Sequence, residues 1–269
     1  MSTIKRNLGI NADCLRGLVS TADTLPLIKE AGFVSFFTNE YLPDEVAAIK
    51  ERADALQLNF EFIHAPFRGI NAMWLSGLEY LTIFNQIKRS IDTAADNGVP
   101  AVITHVSSGW NAPAVNDLGL SRYDELVLYA KERGVILAFE NLRMVGNLAI
   151  LIDRYAHFDN VRFCFDSGHE HCYTKTVDWV DIFADKLYCT HVHDNHSRSF
   201  EDKASDGDEH LLPFDGTYDY AKMIHKLDKN GYTGSLMLEV FRAMPKYQAL
   251  TAEAFLQTAY ERIEKISKL

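Results

Sequence analysis

Eight short apolar runs, each followed by a stretch of helical period, constrain this 269-residue chain more than any other feature of its sequence. They are Leu8–Asn11, Phe33–Thr38, Asn59–His64, Ala101–Val106, Val135–Glu140, Val161–Asp166, Leu187–His193 and Leu236–Val240, rich in Val, Ile and Phe. Such runs alternating with helices are the pattern of βα units around a parallel sheet. Eight repeats predict an α/β fold, a single (β/α)8 TIM barrel, whose usual length is about 250 residues and whose active site lies at the C-terminal mouth. The chain is 47% hydrophobic, enough for a large core, and no Gly/Ser-rich linker or charge boundary divides it, so one domain over 1–269 is expected.

The punctuation between the runs agrees. Gly32, Gly98, Gly134 and Gly231 each end a helical stretch and precede an apolar residue, as a left-handed C′ residue does. Pro43-Asp44-Glu45 opens a helix through Leu56, Thr176 is placed to cap Val177–Asp185, and Thr217 to cap Tyr218–Lys229. Lys246–Ile266 reads as a long closing helix. Two connections, Val106–Gly119 and Asp194–Gly216, are long enough to carry function and follow strands, which puts them on the same rim.

Composition narrows the partners. With 27 Lys+Arg against 37 Asp+Glu the chain carries a formal charge of −10, which disfavours nucleic acid and acidic membrane surfaces as partners. Cys14, Cys164, Cys172 and Cys189 form no CxxC pair, and Met1–Asn7 is polar with no signal-length apolar run behind it, so a reducing, cytoplasmic setting is expected. Neither a GxGxxG nor a GxxxxGK[ST] run is present, which argues against a nucleotide cofactor.

Chemistry collects at the strand ends. His64 ends the third run, His105 stands near the end of the fourth, Glu140 ends the fifth and Asp166 the sixth, with His169 one turn on. His191 and His193 close the seventh run, and Glu239 stands in the eighth. One such residue is commonly a rim hydrogen-bonder. Glu140, Asp166 and Glu239, however, each directly follow apolar residues, where an uncompensated carboxylate is costly and a divalent cation resolves the cost. His191 and His193 project to the same side of their strand, so either could be a ligand with the other behind it.

The motifs AFENL around Glu140, FDSGH around Asp166, HVHDN from His191, DEHLLPFDG from Asp208 and LMLEV around Glu239 resemble the xylose isomerase-like TIM barrels over essentially the whole chain. That family includes sugar and sugar-phosphate isomerases and epimerases and the related apurinic endonucleases. The resemblance implies one divalent metal ion (Mn, Mg, Co or Zn) held by Glu140, Asp166, His191 and Glu239. It also implies that Glu140 and Glu239 act as acid and base on opposite faces of a sugar or sugar phosphate, through an enediolate. It allows a homo-oligomer, since related barrels often form dimers or tetramers.

The endonuclease branch implies three zinc ions instead, on His64, His105, Glu140, Asp166, His169, His191, Asp208, His210 and Glu239. Against it, the loop Asn39–Glu45 is acidic and no Lys or Arg stands between the fourth run and Arg122, too few cations to grasp a duplex. Isomerase or epimerase is therefore preferred; a dehydratase of a cyclic polyol ketone would use the same proton abstraction. His64, His105, His169, His193, Asp208 and His210 are expected to line the site or support the ligands. Phe67, Trp74 and Trp110 offer apolar faces for a sugar ring, while Arg68, Arg143 and Arg242 could take a phosphate or carboxylate, or pair with rim acids.

Overall fold

A computed structural model describes residues 4–199 and 206–269. The expected (β/α)8 architecture is present: eight strands form one sheet in the order β7-β6-β5-β4-β3-β2-β1-β8. They are β1 (Leu8–Asn11), β2 (Ser35–Thr38), β3 (Asn59–His64), β4 (Ala101–Thr104), β5 (Ile136–Glu140), β6 (Val161–Asp166), β7 (Leu187–His191) and β8 (Leu236–Leu238). Parallel register is set by pairs such as Gly9↔Ser35, Ile10↔Leu238 and Phe139↔Phe163. A parallel bridge at Val192↔Leu238, with Val192 N–H donating to the Met237 carbonyl at 2.7 Å, joins β7 to β8 and closes the order. Strands buried on both faces explain why the runs are continuous rather than alternating.

The helices are α1 (Thr21–Ala31), α2 (Pro43–Leu56), α3 (Tyr80–Asp96), α4 (Asp117–Glu132), α5 (Val145–Arg154), α6 (Ser167–Tyr173), α7 (Trp179–Ile182), α8 (Tyr220–Lys229) and α9 (Ala252–Ser267). Gly32, Gly98, Gly134 and Gly231 all have positive φ, as the sequence predicts. Among the described residues no helix is long and apolar enough to cross a membrane.

Three helix boundaries are corrected. Thr176 caps nothing in the expected Val177–Asp185 helix, which is broken into α7 and a 3-10 turn at Ala184–Lys186. Helix α8 starts two residues after Tyr218 because Asp219, not Thr217, accepts its first-turn N–H, from Lys222 at 3.0 Å. The closing helix starts only at Ala252, capped by Thr251. The chain before it is folded into turns gripped by Arg242, which donates to the Leu250 and Gln248 carbonyls at 2.6 and 2.7 Å.

Contacts divide the chain into two compact units, one of residues 1–38, 48–60 and 165–269 and the other of residues 39–47 and 61–164. In the first, Phe36 stacks on Phe60, and Asn11 accepts the Val240 N–H at 3.0 Å, tying β1 to the end of β8. In the second, Trp74 donates to the Val106 carbonyl at 2.7 Å and packs on Tyr123, so it is core and no sugar platform. The loop 194–216, read as functional, is described except for residues 200–205; residues 1–3 of the N-terminal segment likewise lie outside the described residues.

Candidate active site

In the unit containing residues 165–269, strand β6 delivers Asp166 into a buried position, and the same residue starts α6 by accepting the His169 N–H at 2.6 Å. Capping orients the carboxylate, and His193 Nε2 stands 3.1 Å from Oδ1 and 3.2 Å from Oδ2. His191 Nδ1 lies 3.8 Å from Asp166 Oδ2 and 3.5 Å from Glu239 Oε2. These separations are longer than a hydrogen bond. They approach those of neighbouring ligand atoms on one ion, roughly 3.0–3.5 Å for bonds of about 2.1 Å.

A second layer surrounds this group. Asp208 Oδ2 is 3.2 Å from His169 Nε2 and 3.5 Å from His210 Nε2, while its Oδ1 is 3.7 Å from His193 Nε2. His210, held at φ 46°, places Nδ1 3.1 Å from the Glu239 carbonyl oxygen and stacks on His193 with centroids 4.0 Å apart. Burial opposes charge on both partners. The attraction of His210 and His169 outweighs it at Asp208, holding that carboxyl well below the usual range. The attraction of Asp208 likewise lifts His210 up to about 10.

Two sets here, Asp166/His169/His193 and His193/His210/Glu239, bring ligand atoms within 4.8 Å of one another. Buried carboxylates facing imidazoles suit a divalent cation, so the residues fit the metal the sequence resemblance implies. Several groups support this unit's site without being legible as functional in the sequence. Phe37, in the apolar run of β2, stacks on His191 at 4.9 Å, and Asn195, the last residue of HVHDN, donates to the Gly168 carbonyl at 3.0 Å. Ser167 Oγ donates to the His193 carbonyl at 3.1 Å.

In the other unit, β3, β4 and β5 bring His64, His105 and Glu140 together. Both His64 Nε2, at 3.2 Å, and His105 Nε2, at 3.4 Å, face Glu140 Oε2. His64 Nδ1 sits 2.9 Å from the Ala65 carbonyl oxygen. Phe67, 45% exposed, stacks face-on against His105 at 4.3 Å. Trp110 is 43% exposed, with the Arg143 guanidinium 5.7 Å from its ring centroid. Arg68 is exposed, whereas Arg242 donates to the Leu250 and Gln248 carbonyls.

A barrel whose strand ends carry clustered carboxylates and imidazoles defines a class, and sequence comparison gives its family. The model of the xylose isomerase-like TIM barrel family matches residues 25–259, and the chain belongs to that family. An uncharacterised protein of Sinorhizobium fredii is 30% identical over 199 residues, 69% of this chain; the match spans 58% of that relative's length. The inosose isomerase of Halalkalibacterium halodurans is 23% identical over 252 residues, covering 85% of this chain and 83% of the relative.

Among solved structures, the 3-keto-D-glucoside 4-epimerase of E. coli aligns with a TM-score of 0.73 at 15% identity, over 98% of this chain and 100% of that one. The D-psicose 3-epimerase of Clostridium cellulolyticum aligns at 0.75 and 12% identity, over 97% and 98%. These likenesses show the fold.

Proposed function

We propose that the chain is a divalent-metal-dependent isomerase or epimerase of a sugar, working as one barrel domain. Asp166, His191 and Glu239 would hold the cation, with Glu140 as the fourth ligand. The observation that carries this reading is His191 Nδ1 standing within 3.8 Å of both the Asp166 and Glu239 carboxylates in a buried setting. In a barrel of this family the strand ends face one mouth, which supports adding Glu140 from the end of β5. Relatives named as an inosose isomerase and as ketose and ketoglucoside epimerases support a sugar substrate.

When bound, the cation stabilises negative charge that develops on substrate oxygens beside the carbon losing its proton. Glu239 and Glu140 move the proton, one removing it and the other returning it, so that return on the opposite face inverts the centre and return to the neighbouring carbon isomerises the sugar. His64 and His105 orient Glu140 through Oε2, and His210 fixes the Glu239 segment through its carbonyl oxygen. Phe67 and Trp110 supply exposed apolar faces for the sugar's C–H side.

The surplus of imidazoles, His169, His193 and His210 around Asp208, favours a second reading with several zinc ions and phosphodiester hydrolysis. The restraint of Arg242 by carbonyls and the chain's net charge of −10 weigh against it. Incubation with a panel of ketoses and inososes in D2O, with Mn2+ supplied, tests the proposal. Deuterium should enter the substrate at the carbon next to the carbonyl, and Glu239→Gln should fold normally but exchange at least about a hundredfold more slowly. Exchange unaffected by Glu239→Gln removes Glu239 from the mechanism.

A further inference from the structure

Asp194, the residue after His193, carries a fully buried carboxylate that no step of the proposed chemistry uses. Its oxygens accept from the backbone: Oδ1 takes the N–H of Asn195 at 2.9 Å and of Tyr218 at 3.0 Å, and Oδ2 takes that of Phe214 at 2.9 Å. The Asp194 main chain also bonds Leu211 in both directions, donating at 2.8 Å and accepting at 2.9 Å. Gly216 completes the fit, since a methyl group there would lie 2.4 Å from Asp194 Oδ1 and from the Asn195 carbonyl oxygen.

The segment gripped in this way carries site residues in strained backbone. His210 has φ 46° and Phe214 φ 70°, left-handed conformations that residues with side chains hold only where their surroundings over-determine them. Across the Leu211 bridge, His210 stacks on His193 at 4.0 Å and sets Nδ1 3.1 Å from the Glu239 carbonyl oxygen. Asp208, two residues earlier, reaches His169 at 3.2 Å. Asp166 and His191 are placed by strands, whereas Asp208 and His210 lie on this loop. A carboxylate suits the anchor because both oxygens accept, with charge-assisted strength; an amide would turn its NH2 toward an N–H donor.

We propose that Asp194 is a positioning residue of the site: by fixing residues 211–218, its carboxylate keeps Asp208 and His210 against His193 and Glu239. Its effect on turnover rests on the proposed function; its effect on the placement of His210 rests on geometry alone.

Asp194→Asn tests this with two readouts on the full-length protein supplied with Mg2+ at fixed pH. The Cε1–H resonance of His210 should move as the stack on His193 is lost, and kcat should fall about ten- to a hundredfold with KM within about twofold. Asp215→Asn, which loosens the same segment from Tyr247 and Arg262, should leave both readouts unchanged. An unmoved His210 resonance in folded Asp194→Asn, an unchanged kcat, or equal effects from Asp215→Asn overturns the proposal. A wild type inert toward every ketose and inosose overturns the proposed function instead, and the resonance alone then decides on Asp194. Hydrogen exchange on wild type needs no variant: the Phe214 and Tyr218 amides should be protected at least about a hundredfold, and exchange at the unfolded rate overturns the anchor.

Discussion

A methyl group added at Gly168 would lie 1.9 Å from Cε1 of His193, so the first turn of α6 and the imidazole after β7 occupy adjoining space with no slack. Only glycine leaves His193 where it meets Asp166. Gly168→Ala should therefore destabilise the fold by about 1–3 kcal/mol through overpacking, despite alanine's better helix propensity, as measured by urea unfolding. Metal affinity should fall with it. Unchanged stability would mean that the ring moves aside freely.

Arg122 is a structural pin and should behave as one. Its buried guanidinium donates from one nitrogen to the carbonyls of Ala72, Met73 and Leu75, at 2.9, 2.8 and 2.8 Å, and covers the Tyr80 ring at 3.5 Å. Arg122→Gln leaves those carbonyls short of donors and should cost about 3 kcal/mol in chemical denaturation. Arg122→Lys should recover only part of this, because an ammonium cannot reproduce the planar fork.

Asp215 gives the acid limb of stability. Burial alone would raise its carboxyl, but the Tyr247 hydroxyl at 2.7 Å, Arg262 at 2.9 Å and Lys246 at 3.1 Å together hold it below its ordinary value. A depressed folded-state value stabilises fully above the unfolded carboxylate value of about 3.9 and is lost as pH falls through the lower folded value. Wild type should thus exceed Asp215→Asn in stability by a constant margin above about pH 5, and the two curves should converge on acidification below about pH 4.

Phe67 lies face-on against His105 with nearly half its surface exposed. Phe67→Ala should lower stability by less than about 1 kcal/mol, since the ring is not core, while raising KM for a sugar substrate several-fold. Equal KM values would assign the ring to another role.

How far the sequence disclosed all this depended on the kind of signal. Strand ends were readable because apolar runs stop where Glu140 and Asp166 begin, and β3 and β6 have the expected limits. Helix starts were less so. Asp178 stands in the N-cap position of α7, but its carboxylate pairs with Lys226 from α8, a long-range competition that no local pattern records. The sequence marks Asp166 as a candidate ligand; that it is the N-cap of α6 is visible only once His169 N–H is seen against it. The grouping of Asp208 with His169 and His210 joins residues 39 apart and depends on a left-handed backbone at His210.

Under the proposed function, Asp166, His191 and Glu239, joined by Glu140, bind one divalent cation. The most direct measurement is metal content per chain after equilibration with Mn2+ and removal of free ion, on wild type and on His191→Ala and Asp166→Asn. One ion per wild-type chain, at least tenfold weaker in both variants, is the predicted result. Three tightly held zinc ions, or binding indifferent to His191 and Asp166, would contradict it.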